Sequence, residues 1–209
     1  MQLVLVGATG LVGRHVLALA LADARVRSVL APTRTPLPAH PRLRAPTVDF
    51  DDLPQTPGWW RADAVVCALG TTMRVAGSRE AFHRVDHDYP LAIARLAHRD
   101  GVPGFVLNSA KGAHPRAPFF YSRTKGELEQ SLCAIGFDSL TFVRPGLIGG
   151  ERAQPRAGEQ WAGRLLAALH PVLPRGWRIN PAVTIAAQLL EAAIARRPGV
   201  HVVESGALT

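Results

Sequence analysis

Tyr121 and Lys125 stand four residues apart in the stretch FYSRTKGE, and both are drawn from a very small stock. The chain has only two lysines, Lys111 and Lys125, and only two tyrosines, Tyr89 and Tyr121. Chance supplies about 0.02 Tyr-x-x-x-Lys pairs from that stock, so the spacing needs a chemical reason. On a helix the two side chains share one face. A phenol is a poor base at its ordinary pKa of about 10, but a neighbouring ammonium favours the phenolate. Lysine suits this as a compact point charge, a part that arginine's planar fork does not easily fill. Just upstream, FVLNSAKG places Ser109 at the end of a predicted strand, where its hydroxyl can hold a substrate carbonyl oxygen.

Such groups need a scaffold that brings them to one cleft. Apolar runs at residues 3–6, 28–31, 46–49, 64–69, 105–107 and 140–143 read as strands, and helical patterns at 11–22, 79–99 and 122–135 lie between them. Strands of this length separated by helices imply crossover connections and a parallel sheet buried on both faces. The expected fold is therefore α/β, doubly wound. After Arg144 the rhythm changes to a loop at 149–158, a helix at 160–169, a proline-punctuated link at 171–181, a helix at 182–196 and a strand at 200–203. This part is expected to form a small C-terminal helical lobe on a single domain spanning residues 1–209.

The first strand runs into GATGLVG, which sets Gly7, Gly10 and Gly13 three residues apart as a helix begins. A turn of this kind lets backbone amides approach a pyrophosphate at the positive end of the helix dipole, so a dinucleotide is the natural ligand. The alternative is a glycine turn that serves packing alone. At the end of the second strand, LAPTRTP offers Arg34 and no carboxylate, which favours the extra phosphate of NADP over the bare ribose of NAD. A solvated surface arginine is the other reading. After the third strand, VDFDDL puts Asp49 and Phe50 at the expected adenine edge, with a loop-capping role for Asp49 as the alternative.

With these features the chain resembles the short-chain dehydrogenase/reductase superfamily. The runs CALGTT, RVDHDYPLAIARLA, NSAKGA, YSRTKGELE and FVRPGLIGGER are similar to its atypical, epimerase/dehydratase-like branch, which contains the animal Tat-interacting oxidoreductase and its bacterial relatives. The resemblance implies an NADP(H)-binding Rossmann domain. It assigns Tyr121 as catalytic acid/base, Lys125 as its partner and a ribose ligand, and Ser109 as the substrate-orienting hydroxyl. It also carries cofactor contacts to Gly7, Thr9, Gly10, Leu11, Val12 and Gly13, to Leu69, Gly70 and Thr71, and to Pro145. Two departures stand out. Where many members have a relay asparagine, this chain reads RVDHDYP, with Arg84, Asp86 and Asp88. The chain is also short for a sugar epimerase of the extended branch, so a nucleotide-sugar substrate is not expected.

The functional expectation is an NADP(H)-dependent oxidoreductase acting on a small carbonyl or alcohol, with Tyr121 moving the proton. The competing class is an NADPH-binding regulatory protein with a protein partner and little turnover. A formal net charge of +8 invites a nucleic-acid reading, but the arginines are scattered along the chain, so no nucleic-acid partner is expected. The opening apolar run is too short for a signal peptide or a membrane span. Cys67 and Cys133, isolated and without metal spacing, point to a reducing cytoplasm, and the arginine-rich composition to a high-GC, bacterial source. His83, His87 and His98 share a predicted helix but read as a polar or packed face, without the carboxylate or cysteine partners that a metal site needs.

Overall fold

The structure is a computed structural model and describes residues 1–149 and 179–209. Seven parallel strands form one sheet: β1 (Gln2–Val6), β2 (Ser28–Leu30), β3 (Leu43–Arg44), β4 (Ala64–Cys67), β5 (Gly104–Asn108), β6 (Ser139–Arg144) and β9 (Gly199–Glu204). Their order is β3-β2-β1-β4-β5-β6-β9. A short parallel pair, β7 (Ile148–Gly149) and β8 (Asn180–Pro181), lies outside it. The helices are α1 (Leu11–Ala22), α2 (Met73–Ala76), α3 (Arg79–His83), α4 (Tyr89–Arg99), α5 (Phe120–Cys133) and α6 (Ala182–Ala195), with a π-turn at Arg84–Asp88 joining α3 to α4.

The period-two alternation of each strand explains why both faces are covered. Leu3 and Leu5 join one core cluster with Val12 and Val16 of α1 and Ile185 and Leu189 of α6. Val4 and Val6 point the other way, into a cluster with Ile93 of α4, Leu128 and Leu132 of α5, and Trp60. Each such fully buried apolar side chain stabilises the fold by about 1.5–3 kcal/mol relative to exposure, so neither helical layer is optional. Consecutive strands run outward from β1 toward β3 on one side and toward β9 on the other. The order reverses between β1 and β4, and a crevice opens there at the carboxyl ends of the strands.

The doubly wound expectation holds, with three local differences. The third strand lies at Leu43–Arg44, not at 46–49, where Pro46 has no N–H to give and only a single bridge, Thr33 to Thr47, forms. The expected helix at 79–99 is α3 and α4 with one wider π-turn between them. A short helix, α2, was not expected; Thr72 caps its first turn by accepting from the Val75 N–H, and Gly77 closes it in the left-handed region. The final helix and strand form where expected, α6 on one face and β9 at the sheet edge beside β6. The helix expected at 160–169 and most of its flanking loops lie outside the described residues.

Candidate active site

The crevice at the strand reversal is a cleft of about 610 Å³. Its floor is the glycine turn. Gly7 has φ +87, and a Cβ there would stand 2.7 Å from the backbone of Ala68 at the end of β4. Gly13 sits so close to that turn that a Cβ would meet the Gly7 carbonyl oxygen at 2.0 Å. Together they let α1 start directly against β1. Gly10 caps α1 without a side-chain hydrogen bond, so no side chain occupies the positive end of the helix.

One wall is α5. Tyr121 and Lys125 both line the cleft, as their spacing predicts, together with Gly10, Leu11, Val12, Leu69, Gly70, Thr71 and Ser109. Gly126, next to Lys125, explains how α5 comes so near: a Cβ there would run into the backbone of His114 at 2.1 Å. The loop leading away from Ser109 is therefore pressed against the helix.

Lys125 is 3% exposed and pairs with Asp86, which is 1% exposed, at 2.8 Å. Asp86 comes from the π-turn, and its other carboxylate oxygen accepts from the Thr71 N–H at 2.7 Å. Burial works against the Lys125 ammonium, but Asp86 and then Tyr121 outweigh it and raise its pKa. The same pair changes the expectation for the phenol. Burial is the largest influence on Tyr121 and pushes its pKa up; Lys125 pulls it down, and Asp86 opposes that pull, so the net direction is upward. Tyr121 as a whole is 43% exposed, yet its phenol is enclosed by enough protein for burial to dominate. In this state burial and Asp86 favour a neutral phenol against the pull of Lys125.

Ser109 lies at the cleft, but its hydroxyl donates to Glu129 Oε1 at 2.5 Å. Glu129 is gripped by Arg144, with contacts of 3.0 and 2.5 Å, and Arg144 reaches on to Glu204 at 3.0 Å. The Ser109 proton is thus committed to a buried carboxylate and not presented to a carbonyl oxygen. Glu129 is twenty residues from Ser109 in sequence; its only signal was its position one turn after Lys125 on the same helix.

The remaining expected residues stand apart from this cleft. Arg34 is exposed just beyond β2 and makes no hydrogen bond or ion pair among the described residues. Asp49 accepts from the Asp51 N–H at 2.9 Å and so caps its own loop. Phe50, expected at the adenine edge, is buried and packs on Tyr89, with ring centroids 5.7 Å apart, while the hydroxyl of Tyr89 donates to Asp51. Thr9 is exposed on the glycine turn, and Pro145 is buried, its carbonyl accepting from the Lys111 N–H.

Three features of the cleft leave room for a ligand. The first turn of α1 has no side-chain cap, and Gly70 leaves open the space above Asp86 and Lys125, where a Cβ would be 3.4 Å from the carboxylate. The side-chain oxygen of Asn108, which also lines the cleft, is buried without a hydrogen-bond partner among the described residues. Such an orphan acceptor is costly unless a ligand satisfies it.

A parallel sheet that reverses order at a glycine turn, with a Tyr-x-x-x-Lys helix over the crevice, defines the short-chain dehydrogenase/reductase form of the Rossmann fold. No family model matches the chain. It is 35% identical over 188 residues to Protein fmp52, mitochondrial, of Emericella nidulans, an alignment covering 83% of this chain and 79% of that protein. It is also 35% identical over 153 residues to Protein HTATIP2 of Rattus norvegicus, covering 73% of this chain and 62% of that protein. The chain belongs to the family of the FMP52 proteins. Among solved structures, MoeE5 in complex with UDP-glucose and NAD has the same fold, with a TM-score of 0.75 at 18% identity over 97% of this chain and 75% of that one.

Two expectations are corrected by these relatives. They are fungal and rodent proteins, not bacterial ones; an arginine-rich composition reports mutational pressure, not lineage. The fungal proteins are named as mitochondrial, which overturns the cytoplasmic reading, since unpaired cysteines indicate a reducing setting without choosing the compartment. Cys67 and Cys133 are both free thiols, the first buried with its pKa pushed up to about 11 by desolvation. Among the described residues no helix is long and apolar enough to cross a membrane.

Proposed function

We propose that the protein is an NADP(H)-dependent reductase of small carbonyl compounds, with Tyr121 as the proton donor. The observation that carries this reading is the buried Asp86–Lys125 pair, which leaves a neutral phenol at the mouth of a dinucleotide-shaped cleft. NADPH supplies the hydride when bound. The turn from Gly7 to Gly13, with Leu11 and Val12, would hold its pyrophosphate at the α1 N-terminus; Leu69, Gly70 and Thr71 would flank it, and Lys125 would bond its ribose. Tyr121 then gives its proton to the carbonyl oxygen as the carbonyl carbon is reduced, and the tyrosinate left behind is reprotonated from solvent. The cleft rim is apolar among the described residues, with Met73, Val75 and Leu147 exposed around it, so an apolar aldehyde or ketone suits it better than a charged one.

Arg34, exposed beyond β2, is the residue proposed to select NADPH through its extra phosphate. Calorimetry should show NADPH binding at least about tenfold more tightly than NADH, a difference of about 1.4 kcal/mol, with Arg34→Ala removing most of it. Equal affinities in the wild type would end that assignment.

The test of the chemistry is NADPH oxidation against a panel of aldehydes, ketones and quinones. Tyr121→Phe should fold and bind NADPH as before yet turn over at least about 10²-fold more slowly. A proton donor must be protonated, and the Tyr121 pKa is raised, so reduction by the wild type should hold its rate through neutral pH and decline only above about pH 10. Unchanged turnover in Tyr121→Phe refutes the assignment. A second reading is a cofactor-binding protein with little turnover, favoured by the engagement of Ser109 with Glu129. Tight NADPH binding without oxidation on any carbonyl would establish it.

A further inference from the structure

We propose that His83, His87 and Asp88 form a binding site for a divalent transition cation of the zinc class, on the outer side of the π-turn. The site is distinct from the cleft, and nothing in the reading of the cleft depends on it. Sequence spacing alone places two histidines on one helix and supplies no third ligand. The π-turn provides it: widening the helix by one residue brings both the i+4 and the i+5 side chains back over His83.

The geometry is that of a nearly assembled ligand set. Asp88 Oδ1 lies 3.2 Å from His83 Nδ1 and 2.8 Å from His87 Nδ1. The two imidazole rings are tilted by 33° with centroids 4.4 Å apart, and the three ligand atoms all lie within 4.8 Å of one another. Ligand atoms held tetrahedrally at about 2.0–2.1 Å from zinc stand about 3.4 Å apart, so the His83–Asp88 edge has that length within about 0.2 Å and the His87–Asp88 edge is about 0.6 Å shorter. The edge between the histidines must close and that between His87 and Asp88 open slightly, by rotation of the partly exposed His83 and the exposed Asp88. Imidazole with one carboxylate is a donor set that selects zinc, cobalt or nickel over magnesium or calcium, and solvent would complete the coordination.

A second partner stands behind the first. His83 turns its other ring nitrogen, Nε2, toward Glu127 Oε2 on α5, 3.8 Å away. Metal-binding histidines commonly donate that second N–H to a carboxylate, which fixes the tautomer that leaves Nδ1 free for the metal. His98, the third histidine of the run, differs in this respect: it packs edge-on against Phe137 at 5.2 Å and takes no part. Because Asp86 points inward from the same π-turn, a cation bound outside would pin the segment that holds Lys125 inside.

The experiment is calorimetric titration of the tag-free full chain with zinc chloride, alongside visible spectra after adding cobalt(II). One saturable equivalent of zinc is expected, with visible bands of low-symmetry cobalt and a zinc-dependent rise in unfolding temperature. His87→Gln and Asp88→Asn should each weaken binding at least about 100-fold, and Glu127→Gln by about 10-fold or more, the usual cost of losing an outer-shell partner. His98→Gln should bind as the wild type does. If His87→Gln does not fold, His83→Gln, at a more exposed position, tests the same claim. Absence of a saturable equivalent, or zinc affinity unchanged in His83→Gln and Asp88→Asn, overturns the proposal.

Discussion

Helix α5 carries two buried charges one turn apart, and the protein neutralises them in different ways. Lys125 meets one carboxylate, Asp86, and both are almost wholly withdrawn from water. Glu129 meets Arg144, which is 23% exposed and itself touches Glu204, 60% exposed at the edge of the sheet. The first pair is closed, whereas the second opens step by step toward solvent. A closed pair has no water to fall back on if a partner is lost, while an open chain can rearrange. The closed pair is also the one beside Tyr121, where a fixed, unhydrated charge can govern a proton.

The largest expected effect follows from that closure. Asp86→Ala leaves a buried ammonium unpaired and the Thr71 N–H without its acceptor, and should cost about 3–5 kcal/mol in urea unfolding. Replacing both members, Asp86→Leu with Lys125→Met, should recover most of that loss, because an apolar pair of similar volume has no charge to desolvate. A loss below about 1 kcal/mol in Asp86→Ala would erase the contrast between the two arrangements.

Glu129→Ala comes next. It strips the acceptor from Ser109 and one partner from Arg144, but Arg144 keeps Glu204 and a path to water, so the expected loss is about 1–3 kcal/mol. The same substitution frees the Ser109 hydroxyl to face the cleft. If the protein is a reductase held back by this contact, turnover should rise or stay level while stability falls, a separation that unfolding and NADPH oxidation measured on one preparation would reveal.

The contrast also marks what could be read from the sequence. GATGLVG and FYSRTKGE were legible because each is a local spacing whose meaning is fixed by one strand or one helix: Gly7 and Gly13 need only a turn, Tyr121 and Lys125 only a helical face. The doubly wound fold was legible for the same reason, since alternation of apolar runs and helical patterns is local. Partners were not. Asp86 was visible as a departure from the relay asparagine, but that it would reach Lys125, thirty-nine residues away, depended on a π-turn that no periodicity announces. Ser109 and Glu129 met because β5 and α5 pack together, and Phe50 met Tyr89, from a helix far along the chain. The same π-turn gave His83 and His87 the carboxylate partners that the sequence did not appear to offer.

The smallest expected effect lies at the open end of the chain of charges. Glu204 is the last residue of β9 and sits directly across from Arg144, the last of β6, so their contact is a cross-strand pair at the rim of a parallel sheet. Its carboxylate is mostly hydrated, and forming the pair gives up little solvation while ordering two side chains, so Glu204→Gln should change stability by no more than about 0.5 kcal/mol. What remains should be screened away at an ionic strength of about 1 M, where charges interact over only about 3 Å, whereas the loss in Asp86→Ala should hardly respond to salt. Urea unfolding of both variants at low and high salt makes the comparison. A Glu204→Gln loss as large as that of Glu129→Ala would mean that the Arg144 chain is as closed as the Lys125 pair, and that exposure at the sheet edge does not relieve it.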